Sequence, residues 1–178
     1  MILRSCIALI VLALAFGSAR ADAPALGAGA PDLRLQDQEG RWHTLTQYRG
    51  NWVTLYFCPK NQTPSCTEQA GQFRDNAAAF RELNTVILSV SVDTVEAHKK
   101  FADRNQLPFP VLADPSKTAA TSYGVLKAFP GAGDLARRDT FLIDPAGRIV
   151  KHYPNVDPKG HAQAVLEEIK RLQQQGGA

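Results

Sequence analysis

The 178-residue chain has few sulfur-containing residues, with only three cysteines and one methionine. Three cysteines are too few for the disulfide framework of a small secreted domain. A domain of this size does not need one, since folding buries roughly 68–70% of the surface that the unfolded chain exposes. With 44% hydrophobic residues, the chain is also too apolar to be intrinsically disordered. We therefore expect one globular domain whose cysteines serve another purpose.

Clusters of basic residues and metal-binding motifs are also missing. Twenty lysines and arginines stand against 17 acidic residues, and no basic run supplies the electrostatic footprint of a nucleic-acid or anionic-membrane partner. The four histidines have no metal-ligand spacing with one another or with cysteine, so we expect them to face solvent: His43, His98, His152 and His161. The sequence thus predicts neither a metal nor a cofactor.

The longest apolar run, Cys6–Phe16, is shorter than the roughly 18 residues that a membrane-spanning helix needs. Arg4 precedes this run, and Ala19–Ala21 follows it as a small-x-small cleavage site. The pattern predicts a secretory signal peptide over residues 1–21 and a single mature domain over residues 22–178. We expect the mature protein in a bacterial periplasm, with full secretion as an alternative. An uncleaved membrane anchor is a further alternative, which the short apolar run disfavours.

Strand-like and helix-like segments alternate along the mature chain. Two near-continuous apolar runs, Trp52–Cys58 and Val86–Val92, are typical of central strands buried on both faces. A helical stretch over Cys66–Leu83 separates them, and Asp93 with Glu96 forms a capping box that opens a helix ending near Asn105. The remaining predictions are a mobile lead-in over Asp22–Gly29, a hairpin of Asp32–Leu35 with Arg41–Thr44, a strand at Phe109–Ala113, a short helix at Thr118–Tyr123, a hairpin of Thr140–Ile143 with Arg148–Tyr153, and an amphipathic helix at His161–Gln174. This pattern predicts an α/β domain in which helices cover a mixed sheet.

The segment Pro59–Cys66 lies where the first buried strand ends and a helix begins, which is where α/β sheets place their sites. A helix N-terminus favours a thiolate at Cys66, because its free N–H groups carry partial positive charge. Thr63 brings a hydroxyl that can donate to an oxygen held beside the sulfur, and Pro59 and Pro64 stiffen the approach. These residues alone allow two interpretations, a reactive thiol or a small buried cysteine in a turn.

Pro59, Thr63 and Cys66 match the P-x-x-x-T-x-x-C motif of peroxiredoxins. Further blocks along most of the mature chain resemble the peroxiredoxin Q, or bacterioferritin comigratory protein, subfamily in the same order: Tyr56–Lys60, Phe73–Asp75, Val90–Asp93, His98–Phe101, Leu107–Pro110, Ala113–Pro115, Tyr123–Val125 and Arg138–Asp144. The resemblance implies a thioredoxin-like fold with an N-terminal hairpin. It also implies thiol-dependent reduction of hydrogen peroxide or organic hydroperoxides.

The resemblance assigns a role to each residue of the motif. Cys66 becomes the peroxidatic cysteine, which passes through a sulfenic acid, Thr63 the hydroxyl that orients the peroxide, and Pro59 the shield of the pocket. Arg138 becomes the cation beside the sulfur, a role that suits a guanidinium because it stays charged and donates several hydrogen bonds. Arg137 is interpreted as a solvated charge where a strand starts.

The chain departs from the subfamily pattern at the second cysteine. Many members carry a resolving cysteine five residues after the peroxidatic one, where this chain has Gly71, and others place it in a helix that corresponds to Val95–Asn105, which contains none. Gln69 is an accepted variant of the motif. Cys58 is the remaining candidate, either as a resolving cysteine or as an inert core thiol at a strand end. Gly71 leads us to predict a one-cysteine mechanism with an external thiol reductant, a thioredoxin-like protein or a small thiol.

Two other functions compete with peroxide reduction. An exported thioredoxin-like disulfide oxidoreductase would share the fold but needs Cys-x-x-Cys, and Thr63 stands where its first cysteine would be. A non-enzymatic redox sensor would be oxidised at Cys66 without turnover. We favour a monomeric peroxidase whose partners are a peroxide and a thiol.

Overall fold

The computed structural model describes residues 22–176, so the predicted signal peptide lies outside the described residues. Within this range no helix combines the length and the apolar character needed to cross a membrane. The strands are β1 (Arg34–Gln36), β2 (Trp42–Thr44), β3 (Trp52–Phe57), β4 (Thr85–Ser91), β5 (Val111–Ala113), β6 (Leu126–Phe129), β7 (Gly133–Ala136), β8 (Thr140–Ile143) and β9 (Ile149–Tyr153). The α-helices are α1 (Pro64–Asp75), α2 (Ala77–Glu82), α3 (Val95–Asn105), α4 (Thr118–Ser122) and α5 (His161–Gly176), and Thr46–Tyr48 forms a 3₁₀ turn.

Seven strands form one mixed sheet in the order β2-β1-β5-β4-β3-β8-β9, and β6 pairs with β7 separately. The central strands β3, β4 and β5 run parallel, whereas β8 pairs antiparallel with β3. Parallel strands at the centre of a sheet are buried on both faces, which explains the continuous apolar runs that predicted β3 and β4. The sheet confirms the prediction of a mixed α/β domain.

Side chains of β3 alternate between two hydrophobic clusters because successive residues of a strand point to opposite faces. Leu55 and Phe57 belong to the cluster that α4 covers. Tyr56 belongs to the other cluster, which α1, α3 and α5 cover, and its ring stacks on Phe73 of α1 at a centroid distance of 4.7 Å. The side of the sheet that carries Tyr56 is therefore the side that meets α1.

The helix predicted over Cys66–Leu83 is instead two helices, α1 and α2, separated at Asn76. The side-chain amide of Asn76 donates to the carbonyl oxygen of Gln72 at 2.8 Å, at the point where α1 ends. Asparagine competes well for such local backbone bonds, so it commonly stops a helix. Helix α1 also begins earlier than predicted, at Pro64, which leaves Cys66 as its third residue.

Helix α3 is capped by Thr94 rather than by Asp93. The Thr94 hydroxyl accepts from the Ala97 N–H at 3.3 Å, as an N-cap residue does. Asp93 is left to accept from the Ser91 hydroxyl and from the backbone N–H of Asn61 at 2.8 Å. The carboxylate thus ties the segment that follows β3 to the end of β4.

The lead-in over Asp22–Gly29, expected to be mobile, is hydrogen-bonded to the edge strand β9 at Gly27 and Ala28. Gly27 donates to the carbonyl of Ile149, and Ile149 donates back to the carbonyl of Ala28. The small residues allow this close backbone approach. The hairpin of β6 and β7 was not predicted, because its apolar residues do not alternate with polar ones, and Ala136 is its one buried residue.

Three of the four histidines are buried, so the expectation that they face solvent is wrong for them. His43 binds the Asp37 carboxylate at 2.9 Å, and His98 bonds to Ser91 and to the carbonyl of Val111. Hydrogen bonds at both ring nitrogens offset the cost of burying a polar ring. Among residues 22–176, no group of three or more histidine, cysteine or acidic side chains is arranged to hold a metal ion.

Candidate active site

Cys66 lies in the first turn of α1, directly beyond the carboxyl end of β3. Thr63 is the N-cap, and its Oγ1 accepts from the Cys66 N–H at 3.4 Å. Pro64 occupies the first helical turn, where its missing N–H costs no hydrogen bond. The arrangement puts the sulfur at the positive end of the helix, which favours a thiolate over a thiol.

The Thr63 hydroxyl donates its proton to a backbone carbonyl and not, as expected, toward the space beside the sulfur. Thr63 Oγ1 donates to the carbonyl oxygen of Lys60 at 3.0 Å, so it is not free to donate to an oxygen held beside Cys66. A bound peroxide would have to take the place of that carbonyl. The role of Thr63 in orienting the peroxide stays a prediction, as does the shielding role of the half-buried Pro59.

Arg138 is placed beside the sulfur by the pairing of β8 with β3. Tyr56 pairs with Thr140, and the antiparallel ladder continues because the Phe57 N–H donates to the Asp139 carbonyl at 2.8 Å. Arg138 immediately precedes Asp139, and its guanidinium reaches both cysteines. Its Nη1 lies 3.4 Å from the Cys66 Sγ and 3.2 Å from the Cys58 Sγ.

The guanidinium of Arg138 is held in a fixed orientation by two residues of α1. Nη1 donates to Gln69 Oε1 at 3.1 Å, and Nη2 donates to Ser65 Oγ at 2.7 Å. Partial burial lowers the pKa of Arg138 from its usual value, but a guanidinium still keeps its proton. Arg138 therefore presents a permanent positive charge, already oriented, to both sulfurs.

The residue after Arg138 anchors this segment. The fully buried Asp139 carboxylate accepts from Arg137 Nη2 and His152 Nε2, both at 2.8 Å, and from the Asn155 N–H at 3.1 Å. Burial alone would raise the pKa of Asp139, but these hydrogen bonds outweigh it and lower the pKa below the usual range. Arg137 is thus not the solvated charge that was expected, because it neutralises a buried carboxylate.

Cys58 and Cys66 form a disulfide, with Cα atoms 6.1 Å apart and both residues about 1% exposed. The Cys58 N–H donates to the Val90 carbonyl, so the backbone continues the register of β3. By strand alternation, Cys58 then points to the same face as Tyr56, where α1 begins. Of the two alternatives for Cys58, the disulfide is compatible with a thiol that can pair with Cys66, and the resolving role itself stays a prediction.

Ser65 and Gln69 were not predicted as site residues from the sequence, in which Gln69 counts only as an accepted variant of the motif. They stand one residue before and three residues after Cys66, on neighbouring positions of one helix surface. The i, i+4 spacing of Ser65 and Gln69 around Cys66 was the available signal. Gly71 lies further along α1, where a Cβ would meet only the Arg74 side chain, at 3.7 Å.

A helix N-terminus, two adjacent cysteines and a guanidinium shared between their sulfurs define a thiol-based redox site. Residues 26–152 match the model of the AhpC/TSA family. The chain is 39% identical over 150 residues to Peroxiredoxin Bcp of Bacillus subtilis, covering 83% of this chain and 96% of that protein. It is 34% identical to the chloroplastic Peroxiredoxin Q of Sedum lineare, covering 82% and 78%.

Solved structures agree with the sequence comparison. Peroxidoxin BcpB from Mycobacterium tuberculosis is 30% identical, with a TM-score of 0.77 and coverage of 82% of this chain and 96% of that one. A variant of PrxQ from Xylella fastidiosa is 28% identical, with a TM-score of 0.80 and coverage of 84% and 97%. The chain belongs to the AhpC/TSA family and is a peroxiredoxin, a thiol-dependent peroxidase with a thioredoxin-like fold. Both the resemblance to peroxiredoxin Q and the predicted fold are confirmed.

Proposed function

We propose that the Cys66 thiolate is the group that reduces the peroxide. Its sulfur attacks one peroxide oxygen, an S–O bond forms as the O–O bond breaks, and the leaving oxygen departs with the electron pair. That oxygen takes up a proton and leaves as water or an alcohol, while Cys66 becomes a sulfenic acid. The 3.4 Å contact from Arg138 Nη1 to the Cys66 Sγ supports this assignment most directly.

Arg138 stabilises the charge at two stages of this step. Before attack, the guanidinium favours the Cys66 thiolate. During attack, negative charge moves from sulfur to the leaving oxygen. The same fixed N–H groups can stabilise that charge by donating hydrogen bonds to the leaving oxygen. Because Ser65 and Gln69 already hold the guanidinium, little reorganisation accompanies the reaction.

The substrates are hydrogen peroxide and organic hydroperoxides. Support for the organic class comes from a solved structure of the Xanthomonas campestris bacterioferritin comigratory protein, which concerns the alkyl peroxide reduction activity of that protein. It is 32% identical to this chain, with a TM-score of 0.74. An external thiol returns the enzyme to its reduced form.

Peroxide consumption by the reduced protein over residues 22–178 tests this function. With dithiothreitol in excess, we expect hydrogen peroxide and cumene hydroperoxide to be consumed over many turnovers, because oxidised Cys66 is regenerated. The matched control is the same protein unfolded in urea, which keeps both thiols but loses the site and should react only as fast as free cysteine. Consumption that stops at one peroxide per chain would identify a redox sensor instead.

We also propose that the protein is exported to a bacterial periplasm after cleavage near Ala21. The charged start, the apolar run and the small-x-small site of residues 1–21 support it. The 150 aligned residues account for 96% of the Bacillus subtilis relative, so this chain carries additional residues beyond the shared domain. Expression of the full chain in a Gram-negative host should yield periplasmic protein that begins at Asp22. An intact Met1 in the cytoplasm would contradict export.

A further inference from the structure

We infer that Cys58 is the resolving cysteine of this enzyme, and that it acts while α1 stays folded. The inference rests on the proposed attack by Cys66 and adds the step that follows it. The one-cysteine mechanism predicted from Gly71 is thereby replaced by a mechanism in which both thiols of the mature chain react.

The first observation is the separation of the two backbones. Cα atoms 6.1 Å apart lie inside the range of about 4.4–6.8 Å that disulfides adopt. Cys58 is bound into the sheet through the Val90 carbonyl, and Cys66 is bound into α1 through its Thr63 cap. The backbone just beyond β3 and in the first turn of α1 thus accommodates the bond.

A cysteine at position 71 could not form a disulfide with Cys66 while α1 stays folded. Five residues along a regular α-helix separate two Cα atoms by about 8.7 Å, on nearly opposite sides of the axis. A disulfide needs less than about 7 Å, so a cysteine at position 71 would reach Cys66 only after α1 unwinds. Cys58 lies just beyond the end of β3 and not in α1, so it can reach Cys66 without unwinding the helix. The presence of Gly71 in place of a cysteine therefore does not remove the resolving step.

Arg138 is the second observation, because its Nη1 contacts both sulfurs, at 3.2 Å and 3.4 Å. The cation that favours the Cys66 thiolate for attack on peroxide can equally favour the Cys58 thiolate for attack on the sulfenic acid. Thiolates, not thiols, carry out such exchange. One guanidinium thus serves two consecutive nucleophiles.

The chemistry balances without a further oxidant. The Cys58 thiolate attacks the Cys66 sulfur, an S–S bond forms as the S–O bond breaks, and hydroxide leaves and is protonated to water. A dithiol reductant of the thioredoxin class then attacks one sulfur of the disulfide, releases the other as a thiolate beside Arg138, and ends as a disulfide itself. The reductant thereby supplies the two electrons that the peroxide has taken.

Intact mass and peptide mapping test the inference. Reduced protein receives one equivalent of hydrogen peroxide without air, with and without a trap for sulfenic acid. We expect the wild type to lose two hydrogens, to yield a Cys58–Cys66 peptide pair and to give little trapped product. Cys58→Ser and Cys58→Ala should each gain one trappable oxygen at Cys66. A wild type that accumulates the same trappable oxygen would overturn the resolving role while leaving the peroxidase intact.

Steady-state turnover with a thioredoxin system gives a second readout. Intramolecular attack has a high effective concentration, so both Cys58 variants should lose at least about 10-fold in turnover. Turnover equal to the wild type would contradict the inference. If no cysteine of the folded wild type oxidises rapidly, the proposed function itself fails, which is a different result. Because the wild-type mass needs no variant, poor folding of either variant does not weaken the test.

Hydrogen exchange tests whether α1 stays folded. Oxidation of the wild type should leave amide protection over Pro64–Asp75 unchanged. The matched comparison is Cys58→Ser combined with Gly71→Cys, for which the open space at Gly71 leaves room. Its disulfide requires unwinding, so its α1 should lose protection on oxidation. Loss of protection in the oxidised wild type would refute the folded-helix part of the inference.

Discussion

Replacing Arg138 by methionine will slow the oxidation of Cys66 by hydrogen peroxide about 10²–10³-fold, which is the usual cost of removing one preorganised donor from developing charge. The variant loses the contact to the Cys66 Sγ and the cation that favours the thiolate. Stopped-flow measurement of the first oxidation gives the rate, and Cys66→Ser gives the background. The ultraviolet absorbance of the thiolate at neutral pH should fall in parallel.

Two further variants separate charge from geometry. Arg138→Lys keeps the charge but lacks the planar fork that contacts the sulfurs and Ser65 together, so it should recover only part of the rate. Arg137→Met is the matched control, because that side chain points to Asp139 rather than to sulfur. A loss at Arg137 equal to that at Arg138 would mean that the segment, not the guanidinium, is what the reaction needs.

The backbone of the fold was readable from the sequence where burial is strongest. Continuous apolar runs located β3 and β4 to within one residue, because a strand buried on both faces leaves little ambiguity. The break at Asn76 was missed, because apolar spacing continues through Phe80 and hides a stop that is marked by a local side-chain hydrogen bond of Asn76. The lead-in was missed for a related reason, since the hydrogen bonds that join it to β9 run between backbone atoms, which side-chain patterns do not report.

The site was partly readable as well. Motif matching selected Cys66, Thr63, Pro59 and Arg138, but it could not judge Cys58, which lies outside the P-x-x-x-T-x-x-C motif. Strand alternation carried the missing information, since Tyr56 and Cys58 share a face and α1 follows directly. The position of Arg138 beside Cys66 depends on the register of β8 against β3, which pairs residues more than 80 positions apart. Such a long-range pairing cannot be read from the residues around Arg138.

Stability in acid will depend on His161, which lies about 7% exposed at the first position of α5. Its Nε2 bonds to Thr140 Oγ1, and its ring meets the edges of Phe73 and Tyr153. Burial lowers the pKa of His161 from 6.5 to about 4, and the nearby helix N-terminus also disfavours a cation. The imidazole is therefore neutral in the folded protein across the range where it would be protonated in the unfolded chain.

The sign of the pH effect follows from this difference. Between about pH 6.5 and pH 4 the unfolded state binds one more proton than the folded state at His161, so the free energy of unfolding falls as pH falls. From pH 7 to pH 5 we expect a loss of about 2 kcal/mol from this residue. Urea unfolding at each pH measures it, with the two cysteines held in one oxidation state throughout. His161→Gln should be less stable at pH 7 but lose less stability on acidification. Equal losses in both proteins would show that His161 does not set the acid limit.

His98, whose pKa burial also lowers, contributes in the same direction, so His98→Gln combined with His161→Gln should flatten the pH dependence further.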